Sequence, residues 1–507
     1  MAELHQTTLE PGKLELLTSW LPEQRWYASK GRTPALRKLG GFRLDDPDGE
    51  VGIEVMIVAD DSDSSGSPGL GPRVYQVPMT YRGAPLPGAD AALIGTTQHG
   101  VLGRRWVYDG PHDPVFVAQL LALIQGQAEP QAQSRSHTPD PTVWRHSADD
   151  EVVRLASSSV LHGEQSNTSV ICEVVGPSDN AAEPVIIKVF RSLQAGENPD
   201  VAVQSALSEA GSAQVPRTVG YVSAEWTDPR GQDRVRGHLH FAQRFLRGVE
   251  DAWRVALRSA KTGTDFSSEA RELGEATARI HRTLASVLGT TPATHDAKVD
   301  LIRAMRGRYD AAAAEVPSLA EHEEVILAVV EGLLDHEWPD LQRIHGDYHL
   351  GQVLRTDTGW VAVDFEGEPM RPLSERTRPD LALRDVAGML RSFDYAGGSV
   401  EMSVPGRSAR SWVSTCQAAF LEGYASITHL DAQSETGRAY PLLLALELDK
   451  ALYEVSYEVR NRPGWVGIPT AAVERLLRRR SQPAIPRARS PPRRVSHDHR
   501  PHDDACH

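Results

Sequence analysis

Cysteine is nearly absent from this chain. Cys172, Cys416 and Cys506 are the three in 507 residues, too widely separated to suggest a disulfide framework or a zinc cluster. Long apolar runs are missing too: the longest, around 325–334, is interrupted by Glu331 and falls short of the roughly 20 residues a membrane helix needs. Basic charge is not in excess. Lys and Arg number 54 against 68 Asp and Glu, a formal charge of -14, which argues against a general affinity for nucleic acid or an anionic membrane. The opening MAELHQTTLEPGKLEL has no basic stretch followed by an apolar one, so the expectation is a reduced, cytoplasmic protein. No G-x-x-x-x-G-K-[ST] occurs, no G-x-G-x-x-G follows a strand, and no G-x-S-x-G elbow is present. P-loop, Rossmann and serine-hydrolase readings are therefore disfavoured.

What is present is an ordinary globular composition, 40% hydrophobic and 24% charged, in a chain long enough for three or four units at roughly 100–200 residues each. Alternating runs at 51–59 and 73–81, separated by the acidic Gly/Ser/Pro-rich DDSDSSGSPGLGPR, predict a small sheet-bearing domain. A short helix is expected at 14–21, followed by Arg25, Trp26, Tyr27 and Lys30, which read as an aromatic anchor and receive no site role. Residues 114–127 look helical, and a polar stretch after them places a boundary near 130–150. Next come VVRLASSSVL, the polar turn HGEQSNTS, VICEVV and PVIIKVF, a hairpin plus one strand. From Ser267 helices dominate, with Leu273, Ala276, Ile280 and Leu284 on one face. The last 30 residues hold eight Arg and five Pro without apolar periodicity and read as a disordered basic tail. The expected division is 1–130, 131–248, 249–478 and a tail at 479–507.

The chemistry concentrates in LQRIHGDYHLGQVLRTDTGWVAVDFEGE at 341–368. Asp347 sits in a His-Gly-Asp turn, Gln352 follows five residues later, and Asp364 lies beyond a short strand. Phosphoryl transfer to a hydroxyl needs one carboxylate to orient the nucleophile and oxygen ligands to hold Mg²⁺ against the phosphates. An Asp, an amide and a second Asp across a hairpin supply that set, in the order of kinase catalytic and metal loops with Gln in place of Asn. Taken alone, His345 and His349 would suggest a metal pair and Asp347 a plain turn residue; the second carboxylate and the intervening strand favour the kinase order.

That order makes demands upstream. The turn Gly163–Ser169 would present Gly163, Ser166 and Asn167 to nucleotide phosphates, a weak signal with one glycine. Lys188, closing VIIK, would reach the α/β-phosphates, paired with an acid on the next helix, either Asp200 or Glu209. HLHFAQRFLRG would be the hinge strand, with Gln243, Phe245 and Leu246 near the adenine or simply in the core.

Together HGDYHLGQVL, DFEGEPMRPLSER and LRDVAGMLRSFDYA resemble the aminoglycoside-phosphotransferase-like kinases, and among these the bacterial maltokinases. LPEQRWYASKGR and LGRRWVYDGPHDPVF resemble that family's N-terminal cap, and LELDKALYEVSYEVRNRPGWVGIP its sugar-binding helix, so the likeness spans roughly 10–478. It implies an α+β, bilobal kinase-like fold: a β-rich N-lobe and an α-helical C-lobe, preceded by a β-containing cap. It implies ATP, Mg²⁺ and maltose as substrates and cofactor, and maltose 1-phosphate as product, a donor for α-glucan made from trehalose. A trehalose-converting enzyme is the partner this suggests. By position the resemblance makes Asp347 the base, Gln352 and Asp364 the Mg²⁺ ligands, Lys188 the phosphate lysine, and Glu366 an aid to metal or sugar, with Arg371 and Arg376 bracing the loop. Asp449, Lys450, Tyr453, Glu454, Tyr457 and Glu458 form one polar and aromatic stripe, of which Lys450, Tyr453, Glu454 and Tyr457 are assigned to the sugar; Trp465 would stack on sugar or cap the core. Two rivals stand beside this reading, a glucosamine or other amino-sugar kinase and a non-catalytic pseudokinase.

Overall fold

The computed structural model describes residues 8–62, 71–133, 138–149, 151–161, 166–368, 371–404, 406–430, 437 and 439–481. Gly163 and the basic segment 482–507 lie outside the described residues. The first sheet is antiparallel and takes β1 (Leu9–Glu10), β2 (Leu36–Leu44), β3 (Gly52–Asp60), β4 (Arg73–Arg82), β5 (Leu93–His99), β6 (Gly103–Asp109) and β7 (Gln131–Ala132) in the order β1-β5-β6-β4-β3-β2-β7. Helix α1 (Lys13–Trp20) covers one face, where Leu17, Trp20, Trp26 and Tyr27 meet Met56, Val58, Tyr75 and Val77. Helix α2 (Pro114–Ile124) belongs to the other face, packed with Phe42, Val55 and Ile57. β3 does not alternate apolar and polar as expected. Both of its faces are covered, so Val55, Met56, Ile57 and Val58 are all buried, each contributing roughly 1.5–3 kcal/mol.

A second sheet follows, from β8 (Val143–Ser147), β9 (Arg154–Val160), β10 (Asn167–Val175), β11 (Val185–Phe190), β13 (Thr218–Thr227) and β14 (Arg234–Arg244), ordered β8-β13-β14-β11-β10-β9. The short β12 (Ser192–Leu193) leaves this region to pair with β4 of the first sheet, and β7, beyond residue 130, pairs with β2. The seam therefore draws strands from both sides of the boundary expected at 130. Helix α3 (Pro199–Glu209) starts with Asn198, whose side chain accepts from the Asp200 N–H, and Pro199 in its first turn, both ordinary helix-start chemistry.

The remainder is mostly helical, as expected: α4 (Ala252–Thr262), α5 (Ser267–Leu288), α6 (His295–Glu315), α7 (Glu323–Glu331), the single-turn α8 (Leu373–Arg376), α9 (Leu383–Ser403), α10 (Arg410–Thr428), α11 (Tyr440–Asn461) and α12 (Gly467–Ser481). The apolar face read for α5 is buried at Leu273, Ala276, Ile280 and Leu284 and belongs to one core with α9 and α10. Small strands β15 (Glu250–Asp251), β16 (Thr290–Thr291) and β17 (Leu341–Gln342) precede the hairpin β18 (Val353–Thr356) and β19 (Gly359–Ala362). α12 takes in Arg479, Arg480 and Ser481, which the sequence assigned to the tail. Among the described residues no helix is long and apolar enough to cross a membrane.

Candidate functional site

The segment between β17 and β18 carries the His-Gly-Asp turn. The His345 ring is buried between Phe365 and Tyr348, with centroids 4.6 and 5.1 Å away, and its Nε2 is 3.1 Å from the Val363 carbonyl oxygen. The backbone N–H groups of His345 and Gly346 donate to the two carboxylate oxygens of Asp385, at 2.8 and 2.9 Å. Asp385, in the first turn of α9, also lies 3.0 Å from His281 Nε2. Burial opposes its charge, yet His281 and the loop amide keep its carboxyl below the usual range. His349 Nδ1 accepts from the Gly351 N–H at 3.0 Å. Both histidines are thus committed to the loop itself. Gly346 has φ +84°, and a Cβ there would stand 3.3 Å from Gly367 Cα, so the turn requires glycine. Asp347 is left half-buried.

Asp364 follows β19 in the left-handed region, φ +68°, a strained conformation that Asp tolerates better than most residues. Its Oδ2 accepts from Gln352 Nε2 at 3.0 Å and its Oδ1 lies 3.3 Å from Lys188 Nζ. Lys188 also meets Asp200 Oδ2 at 2.7 Å, and Asp200 Oδ1 accepts the Phe365 N–H at 2.8 Å. The open choice of partner therefore falls on Asp200. Glu209, at the far end of α3, faces His146 at 2.9 Å instead. Glu366 Oε1 accepts from Asn167 Nδ2 at 2.9 Å, tying the Asp364 loop to the head of β10. Asp200, Asp364 and Glu366 each place an oxygen within 4.8 Å of the others.

The electrostatics follow from this crowding. Burial works against charge on Lys188, but Asp200, Asp364 and Glu366 hold its pKa well above the usual value. Lys188 in turn holds Asp364 below the carboxylate range. Burial, with Asp364 beside it, pushes Glu366 up to about 7. A side-chain donor set made only of oxygens, two or more of them carboxylates, fits a hard divalent cation such as Mg²⁺.

Ser166 is exposed and Asn167 half-buried at the start of β10, where Asn167 pairs with Phe190 and Ser169 with Lys188. The expected hinge contacts are placed less favourably. The Gln243 side chain is buried against Gln204, and the Phe245 N–H is taken by the Pro184 carbonyl oxygen at 2.7 Å, while Leu246 is half-buried.

On the other side of Asp347 stands α11. Lys450 Nζ lies 3.5 Å from Asp347 Oδ1 and 2.5 Å from Glu368 Oε1, and 5.1 Å from the centre of the Tyr453 ring. Glu368 also pairs with Arg371 at 2.9 Å; burial opposes its charge, but Lys450 and Arg371 bring it down to about 2. Arg376 Nη1 donates to the Glu366 carbonyl oxygen at 2.8 Å, so Arg371 and Arg376 do brace this loop. The predicted stripe splits. Positions i to i+9 sweep about half the helix circumference, so its members cannot share one surface. Asp449 turns to Arg308 and Arg384, Glu454 to Arg391, and Glu458 to Tyr395 and Arg462. Tyr457 is 43% exposed and pairs with Tyr453, while Trp465 stacks on Tyr395 with centroids 6.3 Å apart.

Asp385 and Glu368 escaped the sequence reading. Glu368 continues the spacing Asp364, Glu366 by two, a signal that was there to be read; Asp385 acts through two backbone N–H groups and His281, contacts that leave no local signal.

The model of the maltokinase N-terminal cap domain matches residues 20–113, and that of the phosphotransferase enzyme family matches residues 174–427. A glucosamine kinase of Streptacidiphilus jiangxiensis is 32% identical over 333 residues, covering 62% of this chain and 72% of its own. A glucosamine kinase of Mycolicibacterium smegmatis is 25% identical over 404 residues, covering 73% and 90%. The structure of a glucosamine kinase in complex with glucosamine, ADP and inorganic phosphate shares the fold, with TM-score 0.65 and 24% identity over 92% of this chain and 99% of that one.

Proposed function

The chain belongs to the phosphotransferase enzyme family and carries a maltokinase-type cap, and from that premise we propose that it is an ATP-dependent kinase phosphorylating maltose at its anomeric hydroxyl. Asp347 orients that hydroxyl and accepts its proton as the oxygen attacks the γ-phosphoryl group. Lys188, held by Asp200, faces the α/β-phosphates. Asp364 and Gln352, with Glu366 beside them, are the residues that would hold Mg²⁺, which when bound neutralises charge on the phosphates. Lys450 and Tyr453 face the acceptor, one as a hydrogen-bond donor and the other as an apolar ring surface. The maltose 1-phosphate so formed is a donor for α-glucan extension, in a route that starts from trehalose.

One observation carries the choice of a neutral acceptor. An amino sugar wants an unpaired carboxylate near its ammonium group, but each carboxylate of this wall already has a cation or hydroxyl partner: Glu368 with Lys450 and Arg371, Asp449 with Arg308, Glu454 with Arg391, and Glu458 with Arg462. The Lys450 ammonium, 3.5 Å from Asp347, would also repel an acceptor amine. The second reading, a glucosamine kinase, is supported by the names of the two curated relatives. Purified protein with Mg²⁺-ATP and, separately, maltose, glucose, glucosamine and trehalose decides between them, with the sugar phosphate identified by NMR. Turnover confined to maltose is expected; turnover confined to glucosamine would overturn the acceptor assignment. In the same assay Asp347→Asn should lower kcat by about three orders of magnitude while ADP still binds.

A further inference from the structure

Arg25 lies in the cap, in the RWY sequence that was read as a packing anchor. Both of its terminal nitrogens donate to the main-chain carbonyl oxygen of Asn167, at 3.0 and 2.8 Å, across 142 residues of sequence. The next residue is gripped from the same side. Thr168 Oγ1 accepts from Arg191 Nε at 2.9 Å, and the fully buried Arg191 guanidinium is held by Asp109 of the cap at 2.8 and 2.5 Å, with its carbon 4.9 Å from the Trp26 ring centre. At the head of β10, Asn167 is therefore held directly by a cap side chain and Thr168 by Arg191, itself held by Asp109 of the cap, while the Asn167 side chain reaches Glu366.

We infer that Arg25 is a positioning residue for the phosphoryl donor: the cap, through Arg25 and the Asp109–Arg191 pair, sets the head of β10 at 166–168, where the nucleotide phosphates approach, and through Asn167 sets Glu366 beside Asp364. The reasoning is mechanical. A phosphate-binding turn works through backbone N–H groups, whose aim is lost if the chain shifts by about an ångström. The strand end pairs with β11, Asn167 with Phe190 and Thr168 with Val189, and the cap adds a hold on the Asn167 carbonyl and, through Arg191, on the Thr168 hydroxyl. A charged donor pair on one carbonyl is among the stronger single constraints available there.

The inference rests on the donor-site reading of that turn, so the test begins with a readout that needs no turnover. Full-length wild type, Arg25→Ala, Arg25→Lys, Asn167→Ala and the Arg25→Ala/Asn167→Ala double variant are titrated with ADP, with and without Mg²⁺, by calorimetry. Hydrogen exchange is followed in peptides covering 166–172. Arg25→Ala should weaken ADP binding and raise the KM for ATP by about fivefold to tenfold, leaving the acceptor KM and Tm unchanged. Exchange at 166–170 should rise, Arg25→Lys should recover part of the loss, and the double variant should lose less than the product of the single effects. Arg37→Ala, which removes an exposed cap arginine that pairs with Asp61 and donates to the Pro229 carbonyl oxygen rather than to β10, should change none of these. Unchanged ADP affinity in Arg25→Ala would overturn the inference, even if exchange rises. So would equal loss of donor and acceptor affinity together with a lower Tm. If wild type binds ADP but phosphorylates no sugar of the panel, the acceptor reading fails while the ADP titrations still decide the role of Arg25.

Discussion

His240 lies in the middle of β14, fully buried, with neither ring nitrogen hydrogen-bonded, 6.5 Å from the Phe116 ring centre. Burial, helped by the nearby Arg191 charge, pushes its pKa from 6.5 down to about 3. The sign of the consequence is fixed. Below pH 6.5 the unfolded chain takes up a proton that the folded chain refuses until about pH 3, so stability falls with pH across that window, by about 1.4 kcal/mol per unit for the one group. His240→Leu removes this linkage. Its stability relative to wild type, from urea midpoints, should rise by about 2 kcal/mol between pH 7.5 and pH 5; a flat difference would mean that the ring is hydrated or paired. Residues of this kind are illegible in sequence, because their chemistry is set by neighbours far along the chain. Asp347, Gln352 and Asp364 were legible for the opposite reason: a loop, a hairpin and a second loop hold them together within eighteen residues. Lys188 was legible as well, but its acid was not. That choice depended on which end of α3 meets the Asp364 loop, and the Asn198 cap and Pro199 put the first turn there.

Elements carried part of the site and misled about another part. The hairpin β9–β10 with β11 after it, and the buried face of α5, followed from local apolar patterning, while the places of β8, β13 and β14 in that sheet did not. The stripe on α11 was read from spacing alone, and spacing does not say which cations the neighbouring helices present. Arg384 and Arg391 on α9, and Arg308 on α6, take Asp449 and Glu454 as ion partners. The same helix α9 holds the His-Gly-Asp loop through Asp385, and Gly388 lets it do so at close range, since a Cβ there would stand 2.6 Å from the Tyr348 carbonyl oxygen. Asp385→Asn keeps the volume but turns an NH₂ toward one of three donors, the His345 N–H, the Gly346 N–H or His281. Displacement of the loop by about an ångström costs on the order of 10²-fold. Steady-state kinetics should therefore show kcat reduced at least tenfold with ADP affinity retained. Equal activity would show that α9 supports the loop by packing alone.

At the scale of the whole molecule, the cap and the lobe behind it are one body. Leu39, Phe42, Val55 and Ile57 of the first sheet share a core with Val170, Ile187, Val189 and Phe241 of the second. β12 pairs with β4, and Gln76 Nε2 donates to the carbonyl oxygens of Phe190 and Leu239, each at 3.0 Å. At the centre sits the Asp109–Arg191 pair, with 5% and 0% of the side chains exposed. Removing one partner of such a pair leaves the other charge buried without compensation, a loss of about 3–5 kcal/mol. Asp109→Ala should therefore lower the Tm by several degrees even though the substitution lies in the cap. It should also shift the melting of the whole chain, because a core shared by both sheets leaves neither able to unfold without exposing the other's apolar face. Scanning calorimetry separates the two pictures. A fused body shifts its single transition as a unit in Asp109→Ala, whereas an independently folded cap would show a separate early transition that alone moves.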